Sequence, residues 1–174
     1  VDSLRAGKHV LCEKPFALNE IEAKQMSDLA LKTQLTNMIT HEFRWAPQRA
    51  FVKELLDEGY LGEFKFGELS LFTGPRDGIK PRAFAWGLEA SKGGEFLFGL
   101  GSHYIDSLFH WFGAVNEVDG KVWTNYPDRI VEFEEFGQAT SDDTFRFSLE
   151  FEKGGQAIMF GSNVAPFGQG ARMT

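Results

Sequence analysis

The sequence predicts two architectures in one chain: an α/β segment built as a βαβ unit, then an α+β domain with a largely antiparallel open sheet. Three observations carry this. Residues 9–12 and 35–39 are short apolar runs with a helical stripe between them, and a strand–helix–strand crossover makes a parallel pair. Much later, Phe145, Phe147, Leu149 and Phe151 alternate with Arg146, Ser148, Glu150 and Glu152, the period-two pattern of a strand with one wet face. Gly154-Gly155 then turns that strand back into a second one over 156–162, as in a hairpin.

The elements follow in order. Residues 1–6 read as the tail of a helix that ends at Gly7, a residue suited to the left-handed position after a helix. His9-Val10-Leu11-Cys12 is nearly all apolar, the texture of a strand buried on both faces of a parallel sheet. Asn19 is an N-cap and Glu22, three residues on, completes a capping box. Ile21, Met26, Leu29 and Ala30 then form a helical stripe to about Thr33. Pro47 suits a first helical turn, with Phe51, Val52, Leu55 and Leu56 as the apolar face and Gly59 as the stop. Residues 64–72 and 115–123 read as further strands, and 166–170 as a loop without a closing element. The domain boundary is expected between 1–42 and 43–174.

Composition narrows the function classes. At 174 residues the chain is near the size of one domain. Eighteen Lys+Arg against 25 Asp+Glu give a net charge of −7, so no basic footprint suits nucleic acid or an anionic membrane. No apolar stretch approaches a bilayer span. The single cysteine, Cys12, forms no internal disulfide, and inside an apolar strand it reads as packing. With no leader before Val1 the expected setting is the cytoplasm. Both ends are expected to lie within a longer protein. Phenylalanine is abundant, at 18 residues.

The chemistry concentrates in residues 93–112. Ser102 is a candidate N-cap for a helix running to about Phe112. On that helix His103, Asp106 and His110 share one stripe, spaced i, i+3 and i+7, while Ile105, Leu108, Phe109 and Phe112 gather opposite. With the apolar side in the core, the polar stripe is expected to face outward, as a solvated face or the floor of a cleft. A histidine titrating near neutrality can take a hydroxyl proton. A two-His, one-Asp metal site ranks lower, since no further ligand cluster accompanies it. Lys14 leaves the carboxyl end of a strand, where open α/β sheets bind ligands. Pro15 favours an extended Lys14. Arg44, between Phe43 and Trp45, is a candidate for binding a polyhydroxylated or anionic substrate, or a cation packed on aromatics. Trp86, in a loop with Arg82 and Phe84, is a candidate pocket wall or a core aromatic.

Ala6-Gly7-Lys8-His9-Val10, followed by Glu13-Lys14-Pro15, resembles the AGKHV-x-x-EKP segment of the Gfo/Idh/MocA oxidoreductases. The resemblance continues through Arg44, Pro47, Leu61-Gly62, Gly93-Gly94 and Gly101-Ser102-His103-Tyr104-Ile105-Asp106, and covers essentially the whole chain. It implies the end of a Rossmann domain followed by most of a substrate and oligomerisation domain. It also implies a catalytic set of Lys14, Asp106 and His110. There Lys14 would contact nicotinamide and substrate, with Glu13 and Pro15 beside the cofactor. Asp106 and His110 would match the family's D-x-x-x-H pair, the histidine as acid/base. Arg44, Trp86, His103 and Asp106 are the expected substrate contacts. The implied reaction is oxidation of a secondary alcohol on a sugar or cyclitol by NAD or NADP, in a homo-oligomer joined through the sheet. The glycine-rich turn of the family has no counterpart in this chain, and Gly99 stands where many members carry an acidic residue. Two other readings remain beside it: a non-catalytic oligomerisation module, and a redox-neutral, glycosidase-like member.

Overall fold

The computed structural model describes residues 1–74, 84–130 and 136–174; Arg82 lies outside them. A short helix α1 (Asp2–Arg5) leads into β1 (Val10–Cys12), α2 (Glu20–Thr33) and β2 (Asn37–Ile39). Gly7 takes the left-handed conformation after α1, at φ +70°. Strands β1 and β2 pair in parallel, Leu11 opposite Met38. Asn19 Oδ1 accepts from Glu22 N at 2.9 Å, and Glu22 Oε2 accepts from Leu18 N at 3.1 Å. The predicted capping box is therefore formed by two local bonds.

One expectation for this segment is corrected. The strand pair is not buried on both faces: Leu11 is 66% exposed and Met38 57%. The other face, with Val10, Cys12 and Ile39, looks into a groove of about 490 Å³ walled by α1 and α2. Helices cover only one side of the pair.

The second part begins with a 3-10 turn, Glu42–Trp45, and helix α3 (Pro47–Asp57). Strand β3 (Phe66–Phe72), helix α4 (Ser102–Phe112) and β4 (Val115–Trp123) follow. Then come a small hairpin of β5 (Asp128–Ile130) and β6 (Phe136–Gln138), β7 (Thr144–Phe151), β8 (Gln156–Ser162) and β9 (Gly170–Met173). The main sheet has the order β4-β7-β8-β3-β9. All its pairings are antiparallel except β3–β8, where Phe66 lies opposite Gln156. Residues 166–170 do not end without a closing element: β9 pairs with β3 and completes that edge.

The alternation in β7 does what its pattern predicts. Phe145, Phe147, Leu149 and Phe151 are buried, with Ala157 and Met159 of β8 and Leu69 and Leu71 of β3 on the same face. Helix α4 lies on this face through Tyr104, Leu108 and Trp111, and Val52 and Leu56 of α3 pack against the cluster. Phe51, expected on that apolar face, points away and is 57% exposed. Gly161, opposite Phe145 across the β7–β8 ladder, leaves room for the Phe145 ring. A Cβ there would lie 2.4 Å from its Cζ. Gly161→Ala is expected to lower stability by about 1–3 kcal/mol through overpacking, read as a fall in the urea midpoint.

Candidate active site

Lys14 leaves β1 through Glu13-Lys14-Pro15, with the Lys14–Pro15 peptide cis. Its Nζ crosses to the second part of the chain and donates to the Gly99 carbonyl at 2.6 Å. Gly99 belongs to a π-helical turn, Leu97–Gly101, that runs directly into α4. Such wide turns are frequent at functional sites because they redirect backbone groups. A charge-assisted bond to that carbonyl fixes where the ammonium sits. A Cβ at Gly99 would meet no atom within 4 Å, so the space beside this contact is open. Glu13 is exposed and Pro15 half-buried.

The cap of this helical run differs from the expected one. The chain is already helical before Ser102, whose Oγ is buried without a hydrogen-bond partner. The capping group is Asp142, whose two carboxylate oxygens accept from Phe96 N and Leu97 N, both at 2.9 Å. Burial pushes the Asp142 carboxyl up to about 6, against the opposing pull of those two N–H groups. Asp142→Ala would leave both donors unpaired and is expected to cost about 2 kcal/mol, measured by denaturant unfolding.

His103 lies one turn beyond Gly99 and is only 2% exposed. Its ring stacks on Phe43, with centroids 4.0 Å apart and planes at 18°. His41 meets it edge-on at 5.4 Å. The Nδ1 atoms of both histidines are buried and unpartnered, and the nearest carboxylate, Glu42 Oε2, is 3.8 Å from His103 Nδ1. Burial lowers the His103 pKa. Lys14, His41 and Arg49 push it the same way, while Glu42 opposes them. The balance favours the neutral imidazole.

The polar stripe of α4 does not face outward as a unit. It packs against the Glu42–Trp45 turn, so His103 is buried, whereas Phe109, expected in the core, is 45% exposed. Asp106 is taken by Arg44, which donates to both carboxylate oxygens, one at 2.9 Å. His110 borders Trp45, with ring centroids 6.4 Å apart, on a shallow cleft of about 360 Å³ that also includes Lys53 and Asp57. Burial lowers its pKa, aided by Arg44 and Lys53. Seven residues of helix separate His110 from His103, about 10 Å along the axis. The structure thus brings Lys14 and His103 together and leaves Asp106 and His110 beside Arg44 and Trp45. Trp86 is 67% exposed, and Phe84 packs on Gly137.

Some residues at this site had no sequence signal. Arg49 places its guanidinium 4.9 Å from the Phe43 ring centroid and 4.4 Å from that of Tyr104, and donates to Ser107 Oγ at 2.9 Å. His41 and the Gly99 carbonyl join the site through contacts between distant segments. Among the described residues, no three His, Cys, Asp or Glu side chains cluster to hold a metal ion.

Two family patterns match in chain order. Residues 1–41 fit an oxidoreductase family with an NAD-binding Rossmann fold, and residues 50–174 fit the GFO/IDH/MocA C-terminal domain. The chain belongs to the Gfo/Idh/MocA oxidoreductases. Among relatives in this family, an uncharacterized oxidoreductase of Synechocystis sp. is 33% identical over 150 residues, covering 84% of this chain and 40% of that protein. The scyllo-inositol 2-dehydrogenase (NADP(+)) of Bacillus subtilis is 27% identical over 163 residues, covering 94% and 41%. A crystal structure of an oxidoreductase domain protein from Kribbella flavida superposes with a TM-score of 0.86 at 27% identity, covering 98% of this chain and 46% of that one. The chain therefore spans less than half the length of these relatives. The family binds NAD through its Rossmann fold, and no described helix is long and apolar enough to cross a membrane.

Proposed function

We propose that the full-length protein is an NAD(P)-dependent dehydrogenase that oxidises a secondary alcohol of a sugar, cyclitol or related polyol. The observation that carries this reading is the meeting of Lys14 with the Gly99–His103 run of the second segment. The residues present fit a nicotinamide cofactor. Glu13, Lys14 and Pro15 leave the carboxyl end of a parallel strand pair, the edge where α/β folds take nucleotides, and the space beside Gly99 is open. These three residues would border the nicotinamide. When bound, NAD(P)+ supplies the hydride acceptor.

The chain's own residues do the rest. His103, kept neutral by burial, accepts the hydroxyl proton on a ring nitrogen as the C–H bond gives up its hydride and the carbonyl forms. Lys14, aimed by the Gly99 carbonyl, donates to the alcohol oxygen and stabilises the charge that grows there. This moves the acid/base role from His110, the histidine expected from the sequence, to the one beside Lys14. Arg44 and Asp106 satisfy each other, which argues against the substrate contacts expected of them. We keep 1–42 and 43–174 as the proposed domains, with the boundary inside the Glu42–Trp45 turn. Self-association would use the outer face of the sheet, where Phe66 and Phe160 are 54% and 44% exposed. The inositol dehydrogenase among the relatives supports a polyol substrate.

The test is an assay of the full-length protein against cyclitols and free sugars with NAD+ or NADP+. The expected result is formation of reduced nicotinamide with at least one polyol. Turnover without net reduction of the cofactor, or none with any polyol, overturns the reading.

A further inference from the structure

The Glu42–Trp45 turn bears no sealed hydrogen bond to His103, yet it supplies the ring that covers it. Phe43 lies face to face with the imidazole, and Arg44, the next residue, forks onto Asp106 of α4. Asp106 is three residues beyond His103, on the same side of the helix. The ion pair is largely shielded: the Arg44 side chain is 29% exposed and that of Asp106 15%. On the other side of Phe43, the Arg49 guanidinium is wedged between it and Tyr104 and bonded to Ser107. Ser107 Oγ in turn donates to the His103 carbonyl at 2.8 Å. Two cations from one short segment therefore hold a single aromatic ring against one histidine.

We propose that Arg44 and Asp106 are positioning residues: their ion pair locks the Glu42–Trp45 turn onto α4, and Phe43 then fixes the plane of the His103 ring. This rests on the reading of His103 as proton acceptor, and it replaces the expectation that Arg44 and Asp106 hold substrate. A bidentate Arg–carboxylate pair suits the task because it fixes orientation as well as distance. Arg44 also lies beside His110, whose titration it affects directly. The charged and titratable groups that act on His103 are Glu42, Lys14, His41 and Arg49. Arg44 and Asp106 carry opposite charges in one ion pair, so the ring-current shift of His103, which depends on the packing of Phe43, is the deciding readout.

The experiment uses the full-length protein with ring-labelled histidine, the His103 resonance being assigned by its loss in His103→Gln. Arg44→Met, Asp106→Asn and the double variant Arg44→Met/Asp106→Leu are compared with wild type by NMR titration, thermal unfolding and steady-state kinetics. In the two single variants the His103 signal is expected to lose the upfield shift caused by Phe43. Their kcat is expected to fall about 10–100-fold, the scale of a misplaced catalytic group, with little change in KM. The double variant, with an apolar contact in place of the pair, is expected to recover part of the shift. An unmoved His103 signal in a folded single variant overturns the proposal. So does a raised KM with kcat intact, the mark of lost substrate binding, or failure of all three variants to fold. Full turnover by His103→Gln would instead remove the proton-acceptor reading, while the resonance still reports whether the pair fixes the ring.

Discussion

Replacing His103 by alanine in the full-length protein is expected to slow polyol oxidation by about 10²–10⁴-fold, the usual range for losing a general base. The size of the effect follows from the site. Among the described residues, His110 is two helical turns from His103, and the ring of His41 meets His103 by its edge. His110→Ala serves as the contrast, and a loss confined to that variant would return the role to the outer histidine. The pH profile gives a second check. A base must be neutral to accept a proton, and burial lowers the pKa of His103. The acidic limb of kcat/KM is therefore expected below about 6.5, the ordinary histidine value, and Lys14→Met should move it upward. Stability carries the same sign. Below the ordinary histidine value the unfolded chain binds a proton that the folded chain refuses, so acidification is expected to weaken the fold. His103→Gln should flatten that slope.

Leu108→Ala is expected to cost about 2–5 kcal/mol, the range for emptying a fully buried leucine site. Leu108 is 0% exposed, within the cluster formed by α4, β3, β7 and β8. Its neighbours in that cluster, among them Phe145, Phe147 and Met159, belong to sheet strands that pair along their length and cannot collapse into the gap. The denaturant midpoint should fall while the m-value holds, because the surface exposed on unfolding is almost unchanged. Since Leu108 shares its helix with His103, the variant is also expected to lose activity at temperatures where wild type is still folded.

What was legible in the sequence was local or periodic. The Asn19–Glu22 box needs only neighbours on the same helix turn, and the alternation from Phe145 to Phe151 needs only one strand and one buried face. The motif around Lys14 singled out a side chain that crosses to the second part of the chain, although its partner, the Gly99 carbonyl, lies 85 residues away. Helical spacing placed His103, Asp106 and His110 on one stripe, but spacing does not say what lies against a stripe. The Glu42–Trp45 turn covers it and makes three different environments of three aligned residues. Asp142 and Arg49 were invisible for the same reason: their partners are 46 and 58 residues distant. Strand β9 was missed because four residues starting at a glycine carry no alternation of their own. Pairing with β3 decides it.

The pairing of β3 bears on the order in which the chain can assemble during synthesis. Its two neighbours in the sheet, β8 and β9, are made only after β4 to β7, and the carboxylate that caps the helical run into α4 arrives only with Asp142. The βαβ segment and the α3 turn can form early from local contacts. Strand β3 and the helix carrying His103 must wait, with Leu69 and Leu71 uncovered, until the β7–β8 hairpin emerges. Non-local closure of this kind slows folding and prolongs exposure of apolar surface. A nascent chain halted before β8 is therefore the species most in need of a chaperone, and proteolysis of ribosome-bound chains of increasing length should show protection of this region appearing in one late step.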